Sequence, residues 1–350
     1  MCLIVFAWRP GHTLPLIVAA NRDEFYARPT QPLAAWEDSP GVHAGRDLEA
    51  GGTWLGVGPQ GRFAALTNIR DPGQAPGPRS RGELVAAYLQ GELGVEAYLD
   101  QVASRSGQYS GFNLLVGDGR QLGYLHARDA TPCLLDAGVY GLSNAGLDTP
   151  WPKLVKARSG LEGLLETPEP DRLLALLADN ETAADGDLPE TGVGLATEKL
   201  LSSVFIASQN YGTRASTVLI VDDQGRRRLI ERSFGPFGGC GSGLVPRRGR
   251  NRQPNAQRVL LAPGPIIRAN PRFFRASCSE LWITCGLSWL KASASNSLAL
   301  LMFTWRNIHF TFGRLVAFIE RLSKPIAINR MAAAGSPAIS PQMLTGLPSP

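Results

Sequence analysis

Short runs of apolar residues, separated by turn residues, dominate the chain before residue 235. They are rich in Val, Ile, Leu and aromatic residues, and turn signals such as the segment RPGH at residues 9–12 interrupt them. Such runs are typical of β-strands. They predict strands at residues 2–8, 14–20, 53–57, 63–68, 112–117, 122–126, 139–143, 204–207 and 216–221.

Helical spacing of apolar residues appears between these strands. Leu84, Val85 and Tyr88 fall on one face of a predicted helix at residues 81–89. Further helices are predicted at residues 95–103, 153–165 and 171–177, and the acidic, polar segment 179–191 is predicted as a loop. Strands, then helices, then strands again favour an α+β fold of stacked sheets with helices outside, rather than βαβ repeats.

The pattern and the charge both change at residue 235. From Gly235 onward the chain has 14 basic and two acidic residues, whereas residues 1–234 carry 21 basic and 28 acidic residues. We therefore predict a domain at 1–234 and a basic tail at 235–350, which is disordered or was produced by translation in a shifted frame. The net charge of +5 then indicates no nucleic-acid partner, because it comes from this tail. A short basic interaction helix at residues 312–322 is the alternative for the tail.

The cysteines and histidines exclude several kinds of site. The five cysteines form no CxxC pair and no histidine lies four residues from another, which argues against a disulfide framework and a metal site. No P-loop or Rossmann glycine pattern is present, so we expect no cofactor. The apolar runs at residues 3–8 and 298–305 are too short for a signal peptide and a stable membrane span respectively. We expect a cytoplasmic protein, and the sequence leaves its oligomeric state open.

Cys2 is the first candidate for chemistry. Removal of Met1 would leave a cysteine that carries both a thiol and an α-amine, and an α-amine titrates near ~8. One residue would then supply both nucleophile and general base. The alternative is that position 2 holds a small apolar residue that starts a buried strand.

Four polar residues follow the second predicted strand abruptly, from Asn21 to Glu24. If this strand pairs antiparallel with the first, its end lies beside Cys2. Arg22 would there lower the thiol pKa and hold an anionic intermediate or a substrate carboxylate. The alternative is a solvated strand end with a structural ion pair.

Seven segments together resemble the NRDE family, whose eukaryotic members are called transport and Golgi organisation protein 2. They are MCLI at 1–4, ANRDEF at 20–25, RP at 28–29, GGTWLG at 51–56, LTN at 66–68, GLSN at 141–144 and YGTRAST at 211–217. The resemblance extends over residues 1–234. It implies a four-layer αββα sandwich like that of N-terminal-nucleophile (Ntn) hydrolases.

A more distant likeness to choloylglycine hydrolase and penicillin V acylase implies the site. Those cysteine enzymes cleave amides, and the likeness assigns Cys2 as nucleophile, with Arg22 and Arg214 as its arginines and Asn68 and Asn144 as oxyanion donors. The family pattern also has an aspartate near the first arginine.

Asp23 is the match for that aspartate, but its spacing differs. The acylases separate their Arg and Asp by two residues, whereas Arg22 and Asp23 are adjacent. Adjacent side chains of a regular strand point to opposite faces, so Asp23 shares the pocket with Arg22 only if their own strand bulges or ends there. Glu24, on the same face as Arg22, is the substitute.

Two functions remain open from the sequence. The first is a hydrolase of linear amide bonds that acts on a small-molecule substrate through a Cys2 acyl-enzyme. The second is a non-catalytic carrier that holds a hydrophobic ligand such as haem in the same pocket, with His43 and His126 as candidate axial ligands.

Overall fold

The computed structural model describes residues 2–239 and 256–262. All of them belong to one compact unit, Met1–Arg268. The described residues form two antiparallel sheets and five α-helices.

The first sheet contains the beginning of the chain and has six strands. In spatial order they are β10 (Gly138–Leu142), β1 (Cys2–Trp8), β2 (Leu16–Phe25), β11 (Tyr211–Val221), β12 (Arg227–Ser233) and β13 (Ala256–Leu261).

The second sheet has seven strands that follow one another in sequence order. They are β3 (Thr30–Ala35), β4 (His43–Asp47), β5 (Leu55–Val57), β6 (Phe63–Asn68), β7 (Phe112–Gly117), β8 (Leu122–His126) and β9 (Cys133–Leu134). The helices are α1 (Gly82–Gln90), α2 (Val95–Ala103), α3 (Pro152–Glu162), α4 (Pro170–Leu176) and α5 (Leu195–Leu201).

Three apolar cores separate four layers. Along β1, Ile4 and Phe6 pack in the core between the two sheets, whereas Leu3 and Val5 pack against α3 and α4 on the other face. A third core fills the space between the second sheet and helices α1 and α2. Alternation along a strand explains how β1 serves two cores. The predicted αββα sandwich is confirmed.

Several element boundaries differ from the prediction. Strand β2 continues through the polar residues to Phe25 instead of ending at residue 20. Residues 204–207 are not a strand, because the backbone amide of Ile206 donates to the Thr213 hydroxyl and only Ala207 forms an isolated bridge. The predicted strands did not include β3, β4, β9 or β12, and the predicted helices did not include α5.

Strand β13 lies within the segment predicted as a tail. It pairs with β12 at the sheet edge, and its Val259 and Leu261 pack against the core between the sheets. The remainder of the predicted tail, residues 240–255 and 263–350, lies outside the described residues, as do the runs at 298–305 and 312–322. Within the described part of the chain, no helix has the length and apolar character that crossing a bilayer requires.

Candidate active site

Cys2 and Arg22 face each other across the pairing of β1 with β2. The register places Cys2 opposite Arg22 and Leu3 opposite Asn21. Directly opposed residues of an antiparallel pair point to the same face, so both side chains lie on the side between the sheets. The predicted antiparallel pairing of these strands is confirmed.

A β-bulge lies at the same height on the neighbouring strand. Thr213 pairs with Asp23 and Ala215 with Arg22, so Arg214 is the extra residue in β11. A bulge bends its strand and interrupts the regular alternation of faces. Asp23 and Arg22 line one cavity despite being adjacent in sequence. The sequence required β2 itself to bulge or end at this point, whereas β2 continues to Phe25 and the bulge lies in its partner β11.

The cavity has a volume of about 530 Å³ and opens beside the first residues of β1. Of the residues predicted for the site, five line it, and Glu24 lines it as well. These residues are Cys2, Arg22, Asp23, Asn68 and Arg214. Asn144 is buried and is not among the lining residues.

Asn144 instead bonds to Asn68, which lines the cavity. Its side-chain Nδ2 donates a hydrogen bond of 2.7 Å to the backbone oxygen of Asn68. The neighbouring Ser143 hydroxyl lies 3.3 Å from the backbone oxygen of Cys2, and the Thr67 hydroxyl donates to the Ser143 backbone oxygen at 2.5 Å. These bonds join the end of β6 in one sheet to the first residue of β1 in the other.

The Cys2 thiol is buried rather than exposed. Only 7% of the residue is accessible. Burial raises the pKa of the thiol, and the Asp23 carboxylate raises it further, whereas Arg22 and the backbone N–H of Asp23 lower it. Arg22 therefore acts in the predicted direction, although desolvation is the largest effect and the pKa of the buried thiol is raised overall.

Asp23 is a buried carboxyl group on the edge of the same cavity. Burial raises its pKa, while the charge of Lys153 and a hydrogen bond from Thr213 lower it. The Thr213 hydroxyl donates to Oδ1 of Asp23 at 2.8 Å. A buried carboxylate needs such partners, because its transfer out of water is costly.

The two predicted arginines have different partners. A guanidinium nitrogen of Arg22 lies 3.8 Å from a carboxylate oxygen of Glu24, which supports their predicted placement on one face. Nη1 of Arg214 donates to the backbone oxygens of Phe25 and Arg28, each at 2.9 Å. Arg214 therefore holds the turn that follows β2.

Several charged residues of this region escaped sequence reasoning. Lys153 is 3% exposed, and Arg70 and Glu198 form an ion pair whose side chains are each 4% exposed. Lys153 gave a detectable signal, since it shares a helix face with Leu154, Ala157 and Leu161.

Two more such residues, Arg81 and Glu231, line the cavity. Glu231 also joins the two sheets, because it accepts a 2.8 Å hydrogen bond from the backbone amide of Leu33. The sequence did contain a signal for Glu231: a carboxylate stands two residues after Leu229, on a strand face that is otherwise apolar.

The two histidines suggested as axial ligands do not line the cavity. His43 lies in β4, with its Nδ1 3.3 Å from the backbone oxygen of Gly41. His126 ends β8, with its Nδ1 3.1 Å from a carboxylate oxygen of Asp129. These positions give the cavity no histidine ligand for haem.

Comparison with known proteins identifies the family. A family model described as Transport and Golgi organisation 2 matches residues 1–236. The chain belongs to this family. The homologue from Bos taurus is 38% identical over 260 residues, which cover 67% of this chain and 93% of the relative. The mouse homologue is 35% identical over 257 residues, with the same coverage of both chains. The Drosophila melanogaster protein of this name is 28% identical over 266 residues. The resemblance noted in the sequence is confirmed.

Two solved structures are also similar to this member of the Transport and Golgi organisation 2 family. The Caenorhabditis elegans ortholog of N-acylethanolamine-hydrolyzing acid amidase has a TM-score of 0.39 and 12% identity, covering 62% of this chain and 92% of its own. A mutant conjugated bile acid hydrolase from Clostridium perfringens has a TM-score of 0.40 and 8% identity, covering 75% and 92%.

Proposed function

We propose that this protein is a cysteine N-terminal-nucleophile hydrolase that cleaves a linear amide bond in a small-molecule substrate. The observation that carries the proposal is the opposed Cys2–Arg22 pair at the wall of the cavity, together with Asp23, Asn68 and Arg214 around the same space. A nucleophile, charged groups and an amide donor converge there, which is the arrangement that acyl transfer requires.

In the first step, the Cys2 sulfur bonds to the substrate carbonyl carbon and the thiol proton passes to the Cys2 α-amine, which removal of Met1 exposes. The amine then protonates the leaving nitrogen as the C–N bond breaks, and a thioester remains. Water adds to the thioester and gives a proton to the α-amine, which returns it to sulfur as the carboxylic acid leaves. Substrate, water and Cys2 supply every atom and proton.

The asparagines are proposed to stabilise the oxyanion. A side-chain amide has two N–H donors, and the bond to the Asn68 backbone oxygen uses one of those of Asn144. The side-chain amide of Asn68, which lines the cavity, would face the oxygen that becomes negative, and Asn144 would support the oxyanion by holding Asn68 in place. Loss of one such donor typically lowers kcat by about 100-fold or more.

The charged residues are proposed to orient the reactants. Asp23 would hold the α-amine, because it is the carboxyl group nearest to the start of β1 in register. Arg22, with Glu24 beside it, would bind an anionic group of the substrate or intermediate, and Arg214 would fix the turn that closes this side of the site.

A panel of N-acyl p-nitroanilides with acyl chains of increasing length tests the proposal. Wild type is expected to release p-nitroaniline from at least one member, Cys2→Ala to release none, and Cys133→Ala to match wild type, since Cys133 lies in β9 outside the cavity. Equal turnover by wild type and Cys2→Ala would show that the activity does not belong to this site. If the protein is instead a non-catalytic carrier, the Cys2→Ala variant should bind the ligand as tightly as wild type does.

We also propose that the protein works in the cytoplasm. Cys2 and Cys133, the cysteines of the described residues, are both free thiols, and a reducing compartment preserves a nucleophilic thiol. Fractionation of cells that express the chain with its own amino terminus tests this. Recovery in a membrane-enclosed oxidising compartment would contradict it.

A further inference from the structure

Lys153 is a buried cation that the proposed catalytic cycle does not use. It is 3% exposed, and among the residues that the structure describes its Nζ has no hydrogen-bond partner. A buried ammonium without a partner costs several kcal/mol unless nearby charges compensate for it. Apolar contacts alone do not require a lysine at this position.

The helix that carries Lys153 packs on the strand that begins at the candidate nucleophile. Lys153 lies in the first turn of α3, which packs on β1 and β10, and β1 begins at Cys2. The Arg70 guanidinium, which is paired with Glu198, lies 4.6 Å from the ring centre of Trp151, the residue that precedes α3. Arg70 is tied to the site as well, because its backbone amide donates to the backbone oxygen of Asn144 at 2.7 Å.

The charged groups around Lys153 come from four elements. In decreasing order of their effect on the pKa of Lys153, they are Asp23 of β2, Arg70 after β6, Cys2 of β1 and Glu198 of α5. The pKa of Tyr211 in β11 is also raised, by burial and by the charges of Asp23 and Cys2. Glu198 already accepts from Arg70 and from the backbone amide of Thr191. Asp23 is therefore the carboxylate that Lys153 compensates most strongly.

We propose that Lys153 is a positioning residue of the Cys2 site, whose ammonium acts through Asp23 to keep that buried carboxylate ionised beside the nucleophile. The link to catalysis rests on the proposed function, whereas the Lys153–Asp23 coupling does not. Two charges that lie close together in a protein interior interact far more strongly than they do in water.

The coupling has a definite pH dependence. Burial lowers the pKa of Lys153 to about 8, although the Asp23 carboxylate opposes this effect. Below that pH the ammonium is present and lowers the pKa of Asp23, against the effect of burial. As the pH rises through 8, Lys153 loses its proton and Asp23 loses its strongest compensating charge.

Nuclear magnetic resonance of ¹³C-lysine-labelled protein tests the coupling without a substrate. The Lys153 Cε signal is expected to titrate near pH 8 in wild type, and its midpoint to fall by at least about 0.5 pH unit in Asp23→Asn. Glu181→Gln is the control, because Glu181 pairs with Lys156, an exposed lysine that lies in α3 together with Lys153. An unchanged Lys153 midpoint in Asp23→Asn would overturn the proposal.

A second variant covers the case in which Asp23→Asn does not fold. Linkage is reciprocal, so Lys153→Met should raise the pKa of Asp23 further above that of the unfolded chain. A raised carboxyl pKa stabilises the folded state at low pH, and that stability is lost as the pH rises through the folded-state value. The unfolding free energy of Lys153→Met should therefore fall more steeply than that of wild type between pH 4 and 7. Identical slopes for Lys153→Met and the control Lys156→Met would overturn the proposal.

Alkylation of Cys2 by iodoacetamide separates a positioning role from a structural one. At pH 7 the rate constant is expected to fall at least about threefold in Lys153→Met, because that variant lacks a nearby positive charge that favours the Cys2 thiolate. Lys153→Arg should recover part of the rate and Lys156→Met should match wild type. An unchanged or faster rate in folded Lys153→Met would contradict the role at Cys2. If wild type turns over no amide but the coupling is present, the proposed function fails and Lys153 keeps its effect on Asp23.

Discussion

The Thr213 hydroxyl donates a 2.8 Å hydrogen bond to the Asp23 carboxylate across the bulge that brings Asp23 to the edge of the cavity. The same hydroxyl accepts a 2.9 Å bond from the backbone amide of Ile206. One buried oxygen thus joins β2, β11 and the segment before β11, and it fixes the geometry on which the candidate site depends.

Thr213→Val tests this junction, because it keeps the side-chain shape and removes the hydroxyl. We expect the unfolding free energy to fall by about 1–3 kcal/mol, the usual cost of leaving a buried polar group unsatisfied. Urea denaturation measures it. Thr131→Val, at an exposed position, is the control and should change stability by less than about 0.5 kcal/mol. Equal stability of the two variants would mean that the Thr213 hydroxyl is dispensable.

The buried ion pair of Arg70 with Glu198 gives a second prediction. Glu198→Gln leaves the Arg70 cation without its carboxylate at 4% exposure, and we expect a loss of about 3–5 kcal/mol. Asp185→Asn removes the carboxylate of an exposed pair with Lys199 and should cost at most about 1 kcal/mol. Similar losses in both variants, measured by urea denaturation, would contradict the importance given to burial.

Glu231 predicts a pH dependence of stability. Burial raises its pKa above the ordinary value of 4.5, so the folded state holds this proton more tightly than the unfolded state does. The resulting stability is complete below pH 4.5 and is lost as the pH rises through the folded-state pKa. Glu231→Gln should remove this loss. The change in unfolding free energy from pH 4 to pH 7 should therefore be more favourable in Glu231→Gln than in wild type, by at least about 1 kcal/mol.

The control for that comparison is Glu92→Gln. Glu92 is exposed, so its replacement should leave the pH dependence of wild type unchanged. Unfolding curves at several pH values between 4 and 8 give the comparison. A Glu231→Gln profile that superimposes on that of Glu92→Gln would mean that Glu231 does not carry the burial cost assigned to it.

The end of the domain gives a fourth prediction. A chain that ends after Ala262 keeps β13, whereas one that ends after Gly239 loses it and exposes the edge of β12. Because Val259 and Leu261 pack against the core between the sheets, the shorter chain should be about 1–3 kcal/mol less stable. Equal unfolding free energies for the two chains would show that β13 adds nothing to the core.

The remainder of the segment from Gly235 keeps its sequence-based prediction of a basic, frameshift-derived or disordered tail. Translating the coding DNA in the other two frames after codon 235 tests the frameshift. One frame should encode a short, strand-like ending. Two frames without such an ending would make the idea wrong and leave the basic helix at 312–322 as the alternative.

Much of the sandwich could be predicted from the sequence because its core strands carry apolar residues on their buried faces. Strands β1, β6, β7 and β8 begin and end where the pattern placed them. Strand β2 could not be bounded this way, since Asn21 continues the strand by bonding to Leu177 and Val204, 156 and 183 residues away. Partners so distant leave no local signal.

The candidate site was predicted in part for the same reason. The apolar run that ends at Ala20 predicted that Arg22 lies beside Cys2, because the register of a hairpin depends on two neighbouring strands alone. The bulge at Arg214 and the buried Glu198 depend on contacts between distant segments. Helix α5 was missed because that carboxylate occupies its buried face and interrupts the apolar pattern.

Acylation of the native amino terminus tests the central claim most directly. The protein, expressed with its own start codon, is incubated with p-nitrophenyl acetate as a general acyl donor, and intact mass and peptide mapping locate the acetyl group. The account predicts that Met1 is absent and that the acetyl group is on residue 2. Under the same conditions, Cys2→Ala should acquire no acetyl group, and Cys133→Ala should behave as wild type does. Retention of Met1, or acetylation of Cys133 in preference to Cys2, would contradict it.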